Sequence, residues 1–158
     1  MHSFDDVIEI AAPVEVVYQY IFAADHWPRL LPHVVNVTLQ TDAQGEQLLA
    51  MQTRVNDQIV ETRSVRRCTP YQEITFSQIT MPPWMNVHEG VWLFRSSDTG
   101  TQLQVCHTVE VNEGRLDQIF GAPRTLPEAY AIVSAALARN SRTTMLAVKE
   151  MAEHSYIQ

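Results

Sequence analysis

Residues 125–158 read TLPEAYAIVSAALARNSRTTMLAVKEMAEHSYIQ, and from Glu128 onward this stretch holds neither glycine nor proline. Thr125-Leu126-Pro127-Glu128 fits a capping box, with the proline in a first turn where its missing N–H costs nothing. The pattern predicts a helix of about 25–28 residues. Its seam runs Leu126, Tyr130, Val133, Leu137, then Asn140, Ser141 and Thr144, then Val148 and Met151. Simple packing does not produce a stripe that is apolar at both ends and polar in the middle, because buried polar groups need partners. Something polar, or a cavity holding polar groups, is expected opposite that middle.

Upstream the period changes from helical to alternating. Phe4–Ile10 reads as a strand ended by Ala11-Ala12-Pro13, and Val14, Val17, Tyr18 and Ile21 give a short amphipathic helix. Strands follow at Val34–Thr41, Gln47–Arg54, Ile59–Arg67, Glu73–Ile79, Asn86–Arg95 and Thr101–Val111, with turns at Asp42–Gly45, Asn56-Asp57 and Asp98–Gly100. Short links between successive strands favour an antiparallel meander over a parallel sheet. Between the first helix and the second strand lies DHWPRLLPHVVNV (residues 25–37), whose two prolines mark an ordered connection with apolar bulk that covers something. The sum is α+β: a helix-grip fold, in which a curved antiparallel sheet wraps a long C-terminal helix, with two short helices after the first strand.

Composition narrows the function. At 158 residues, with 46% hydrophobic and 18% charged, the chain is expected to form a single domain over 1–158 with one good core. A formal net charge of −7 argues against nucleic acid as a partner. No apolar run is long enough for a membrane span, and MHSFDDVIEI lacks the parts of a signal peptide. Cys68 and Cys106, without metal-ligand spacing, read as reduced thiols of the cytoplasm. No metal site or glycine-rich phosphate loop can be assembled.

Alternation then sorts the polar residues by face. His107 shares the inward face of its strand with Leu103, Val105, Val109 and Val111. It is either a satisfied core histidine or part of a site. Two features raise the second reading. His88, with Asn86, Gly90, Trp92 and Phe94, points inward from the preceding strand, and the helix opposite carries the polar notch. In Ile59–Arg67, Thr62, Ser64 and Arg66 share one face and Glu61, Arg63 and Val65 the other. Arg63, Arg66 and Arg67 could together be a solvated strand end. A guanidinium turned inward could instead hold developing negative charge. Trp27 and Trp84 are cavity walls or ordinary core aromatics, and for Trp92 core packing is the simpler reading.

The segments IAAPVEVVY, DHWPRLLPHV, SVRR, ITFSQ, GVW, TQLQVCHTVEV and NSRTTM, in this order and spacing, resemble the polyketide aromatase/cyclases of the START-like (Bet v 1-like, SRPBCC) superfamily over nearly the whole length. The resemblance implies a cofactor-independent enzyme for an acyl-carrier-protein-bound poly-β-ketone, closing a ring by intramolecular aldol condensation and assisting dehydration. It places Arg66 and His107 in catalysis. Against the substrate it puts Trp27, Leu31, His33, Val34, Ser64, Gln78, Trp84, His88, Trp92, Val105, Ser141 and Thr144, with the connection that bears Trp27, Leu30, Leu31 and Pro32 at the pocket mouth. Val34 stands where some relatives carry a tyrosine, and His88 stands where an apolar residue is usual. The competing expectation is a carrier for a lipid or quinone, which has little use for inward ionisable groups.

Overall fold

The computed structural model describes residues 1–157, with side chains to residue 155; Gln158, the end of the expected helical stretch, lies outside the described residues. Seven strands form one antiparallel sheet: β1 (His2–Ile10), β2 (Val34–Thr41), β3 (Gln47–Val55), β4 (Gln58–Thr69), β5 (Glu73–Thr80), β6 (Met85–Ser97) and β7 (Gly100–Val111). Their order is β1-β7-β6-β5-β4-β3-β2, a meander whose first strand closes onto its last. Local chemistry sets the turns. Asp42 Oδ1 accepts from the amides of Gln44 and Glu46, both at 2.9 Å, and Gly45 takes the left-handed φ of +83° that follows. Asn56 and Asp57, at φ of +48° and +65°, make the two-residue turn joining β3 to β4.

Helix α1 (Val14–Phe22) buries Val17, Tyr18 and Ile21. The second of the two short helices expected after the first strand falls within the proline-rich connection. Trp27–Leu30 forms a single helical turn, α2, with Pro28 in the first-turn position that tolerates it. Helix α3 (Leu126–Ile157) is 32 residues long, exceeding the expected length. At its start the Glu128 amide donates to Thr125 Oγ1 at 3.3 Å, as a capping box requires, but Glu128 Oε2 accepts from Arg124 N at 3.0 Å, one residue before the expected partner.

The helix bridges the edge strand β1 and the β3–β4 hairpin on the far side of the sheet. Arg142 pairs with Asp6 of β1 at 2.9 Å, and Lys149 Nζ donates to Glu9 O at 2.9 Å. At the far side Asn140 Nδ2 donates to Arg54 O at 3.0 Å and Arg139 Nη2 to Asn56 Oδ1 at 2.6 Å, on the β3–β4 hairpin. Two apolar clusters grip the ends of α3. Met145, Val148 and Ala152 pack with Ile10, Val17, Ile21, Trp27 and Leu103, while Ala129 and Val133 pack with Trp84, Met85, Val111 and Ile119. The buried stripe is rotated slightly from the expected seam: Ala129, Ala136, Met145 and Ala152 are the deeper positions, and Leu126, Tyr130, Leu137 and Met151 are half-buried. Between the clusters, opposite Ser141 and Thr144, the fold leaves a cavity.

Candidate active site

The cavity holds about 970 Å³ of empty space, part of it open to solvent. Inward positions of β3 (Leu49, Met51, Thr53, Val55), of β4 (Val60, Thr62, Ser64, Arg66) and of β5 (Phe76, Gln78) form its floor. Helix α3 covers it with Leu137, Asn140, Ser141 and Thr144. Trp27, His33, Val34, Trp84, His88, Trp92 and His107 complete the wall. Among the wall residues, Arg66 and Trp27 are 2% and 7% exposed. Half-buried members of the wall come from the β3–β4 hairpin, the β5–β6 link and mid-α3 (Val55, Pro82, Leu137, Asn140), and also from the connection that bears Trp27 (His33). That connection supplies Trp27, His33 and Val34 to the wall.

Two residues expected against the substrate stand elsewhere. Leu31 and Val105 are 3% and 1% exposed in the apolar core and line no part of the cavity. Leu30 and Pro32 are likewise absent from the wall. Asn86 has the inward parity of His88 but is exposed, because a bulge between Met85 and Val87 turns it out. Trp27, Trp84 and Trp92 are core and wall at once, which reconciles the two readings of each.

Arg66 is buried in mid-sheet rather than solvated at a strand end, because β4 runs on to Thr69. Its Nη2 donates to Ile21 O at 2.7 Å, and its guanidinium carbon lies 5.6 Å from the Trp27 ring centroid. That ring is itself held by its Nε1 donating to Tyr20 O at 3.0 Å. Burial lowers the guanidinium to about 10, so it stays cationic at neutral pH. Among the described residues no Asp or Glu lines the cavity, and Arg66 Nη1 has no hydrogen-bond partner. Four of the five partnerless buried side-chain atoms among the described residues belong to this wall: His33 Nδ1, Thr53 Oγ1, Arg66 Nη1 and Gln78 Oε1. Such groups are costly unless something arrives to bond them.

The three histidines of the wall are arranged differently. Thr144 gives its one hydroxyl hydrogen to Asn140 O at 3.0 Å, so at 3.3 Å it accepts from His33 Nε2, leaving His33 Nδ1 as a bare acceptor. His88 Nε2 and His107 Nδ1 share a hydrogen across 2.9 Å, and His107 Nε2 meets Ser141 Oγ at 2.7 Å. Cross-strand neighbours fix the pair. Phe4 stacks on His107 at 4.9 Å and 13°, and the edge of Phe76 abuts both imidazoles at 5.6 and 5.7 Å. Desolvation pushes His88 down to about 4 and, with the neighbouring His88, pushes His107 to about 3. Both are neutral at working pH.

Alternation exposed the inward faces of β6 and β7, and on β4 it grouped Arg66 with Thr62 and Ser64, a face that the resemblance turned toward the pocket. The β3 contribution (Leu49, Met51, Thr53, Val55) went unassigned although the same alternation marks it. Phe76 carried no polar signal. Gln47, 1% exposed behind Arg66, and Cys68, with Sγ 3.8 Å from Gln47 Oε1, form a polar support that no sequence pattern announces.

Residues 10–122 match the family model described as polyketide cyclase/dehydrase and lipid transport. A granaticin polyketide synthase bifunctional cyclase/dehydratase of Streptomyces virginiae is 35% identical over 147 residues, 89% of this chain and 46% of the relative. The di-domain ARO/CYC BexL of the BE-7585A biosynthetic pathway superposes with a TM-score of 0.89 at 37% identity, over 96% of this chain and 50% of that one. The Zhui aromatase/cyclase of Streptomyces sp. R1128 shares the fold, with a TM-score of 0.84 at 24% identity over 96% and 93% of the two chains. The chain thus spans about half the length of the curated relatives it matches. Fold, matched segment and relatives agree: the chain belongs to the polyketide cyclase/dehydrase and lipid-transport family.

Proposed function

We propose that residues 1–158 act as one cyclase/aromatase unit that folds an acyl-carrier-protein-bound poly-β-ketone, closes a ring by intramolecular aldol addition and assists loss of water. The observation that carries this reading is the buried, counterion-free guanidinium of Arg66 with a free donor. A buried cation without an anion is expensive, and its cost is recovered when charge develops beside it. Aldol closure supplies that charge twice, as the enolate of the attacking carbon and as the alkoxide of the attacked ketone. The apolar positions of the floor (Leu49, Met51, Val55, Val60 and Phe76) and the three tryptophans hold the chain in one conformation. Orientation of this kind is worth roughly 7–11 kcal/mol when the uncatalysed chain cyclises promiscuously. The substrate brings its own acidic α-hydrogens, so these steps call on no cofactor.

The test is a minimal polyketide synthase run with and without this chain. The expected result is one ring pattern in place of the mixture of spontaneous shunt products. An unchanged mixture overturns the proposal. Stoichiometric copurification of an intact lipid or quinone would support carriage instead.

A further inference from the structure

Both ring nitrogens of His107 are occupied, Nδ1 by His88 at 2.9 Å and Nε2 by Ser141 at 2.7 Å. His107 therefore cannot itself take a proton from a bound ketone, as a direct base would; it acts only through a neighbour. Its two neighbours, Ser141 and His88, both line the cavity. The hydrogen bond of His88 among the described residues is made by Nε2, and Nδ1 is not one of the buried partnerless atoms. We propose that Ser141, His107 and His88 form a proton wire with both ends on the cavity, carrying protons between two positions of the substrate without either imidazole becoming charged. This rests on reading the cavity as a site of ketone chemistry.

Each gap of the wire holds one hydrogen, so the wire has two neutral states. In the first, Ser141 O–H points to His107 Nε2, His107 Nδ1–H to His88 Nε2, and His88 carries its other hydrogen on Nδ1. Water loss starts here. The substrate α-C–H breaks and gives its proton to Ser141 Oγ, whose own hydrogen moves to His107 Nε2. The Nδ1 hydrogen of His107 moves to His88 Nε2, and the Nδ1 hydrogen of His88 goes to the leaving hydroxyl. The C–H electron pair becomes the new C=C bond, and the C–O pair leaves with the water. Three hydrogens remain on the wire, now in the second state. Ring closure runs the opposite way. An α-proton enters at His88 Nδ1, each bridging hydrogen shifts one place, and Ser141 protonates the new alkoxide. Aldol addition followed by dehydration thus returns the wire to its starting state.

The surroundings select this neutral device. Phe4 and Phe76 pack against the rings, and the titratable groups that face them across the cavity are cationic Arg66 from β4 and His33 ahead of β2. No carboxylate lines the cavity among the described residues to stabilise an imidazolium. The depressed basicity of both rings has the same cause. Transfer in which each residue gains one proton as it gives another avoids the charged intermediate.

Two measurements test the wire. In the ¹⁵N-labelled chain, NMR should show both imidazoles neutral from pH 5 to 8, with coupling between His88 Nε2 and His107 Nδ1 across the shared hydrogen. Titration of either ring near its ordinary value, or absence of that coupling, overturns the proposal. The second measurement follows deuterium incorporation at the α-carbons of 2-tetralone in D₂O, which needs proton transfer but no ring closure. The wild-type chain should accelerate exchange, and His88→Phe and Ser141→Ala should each lower it at least tenfold. Exchange that the wild type does not accelerate, or that both variants retain, overturns the wire. Exchange by a chain that leaves the shunt mixture unchanged would support the wire and remove the cyclase reading.

Discussion

Arg66 carries positive charge into a place where nothing negative awaits it, and this separates what the residue does for folding from what it does for function. Its contacts are one bond to Ile21 O and the face of Trp27. Against them stands the desolvation of an ion that lacks a carboxylate. Replacing even a buried ion pair by apolar side chains of similar volume is often neutral or stabilising by about 1–4 kcal/mol, and a lone buried ion lacks the partner's attraction. Arg66→Met should therefore melt at or above the wild-type temperature while ring closure falls about 10²–10³-fold, the usual loss for one oxyanion donor. Arg66→Lys should recover part of the activity, since a point charge lacks the planar fork. Arg63→Ala, on the exposed face of the same strand, should be nearly silent. Thermal melts and cyclisation assays of the three variants check this; a clearly destabilised Arg66→Met, or equal losses at positions 63 and 66, would sink it. Alternation grouped Arg66 with Thr62 and Ser64, and together with the family resemblance this made its inward direction legible. Its depth was not, because burial depends on β4 continuing to Thr69 and on α1 closing over it, and both are set by distant parts of the chain.

At the scale of elements, the β6–β7 hairpin shows how far pattern reading goes. The alternation placing His88 and His107 on one face holds, and cross-strand register puts Gly90 directly opposite His107. What the pattern leaves out is the pairing itself. Two inward imidazoles separated by 19 positions in sequence could sit apart in a cavity, and only strand register brings them to 2.9 Å. Gly90 makes room for their packing. A Cβ there would lie 2.1 Å from Cys106 O and 2.6 Å from the Phe76 ring, the ring whose edge rests on both histidines. Gly90→Ala should destabilise the chain by about 1–3 kcal/mol, the common cost of overpacking. It should also displace Phe76 and shift the His88 and His107 imidazole resonances. Unchanged melting and unchanged resonances would show the backbone yielding freely. The long helix was legible for a related reason. Its polar notch had to face something, and the two apolar clusters that grip its ends leave the notch over the cavity. The one-turn helix at Trp27–Leu30 is the second short helix expected after the first strand; only its exact place was left open, because two prolines mask so short an element.

For the molecule as a whole, the cavity sets the response to acid. Burial lowers His33, His88 and His107 below the free value of 6.5, the latter two to about 4 and about 3. In the unfolded chain each imidazole binds a proton near 6.5, so between that pH and the lowered native values the unfolded state holds more protons. Stability then rises with pH across this window and is lost on acidification, being fully present only above the free value. At pH 5 the linkage amounts to about 2 kcal/mol for His88 taken alone. His107 acts in the same direction, although the shared hydrogen keeps the two from adding independently. Urea midpoints should thus fall steadily from pH 7 to pH 5. His88→Phe keeps an aromatic ring against Phe76 but removes one titrating group, so its midpoint should fall less steeply over the same range. A wild-type midpoint that stays level to pH 5, or a variant slope equal to that of the parent, would mean that the imidazoles are already charged in the folded protein, and a neutral pair beneath α3 could not then be the chemistry this cavity was shaped to hold.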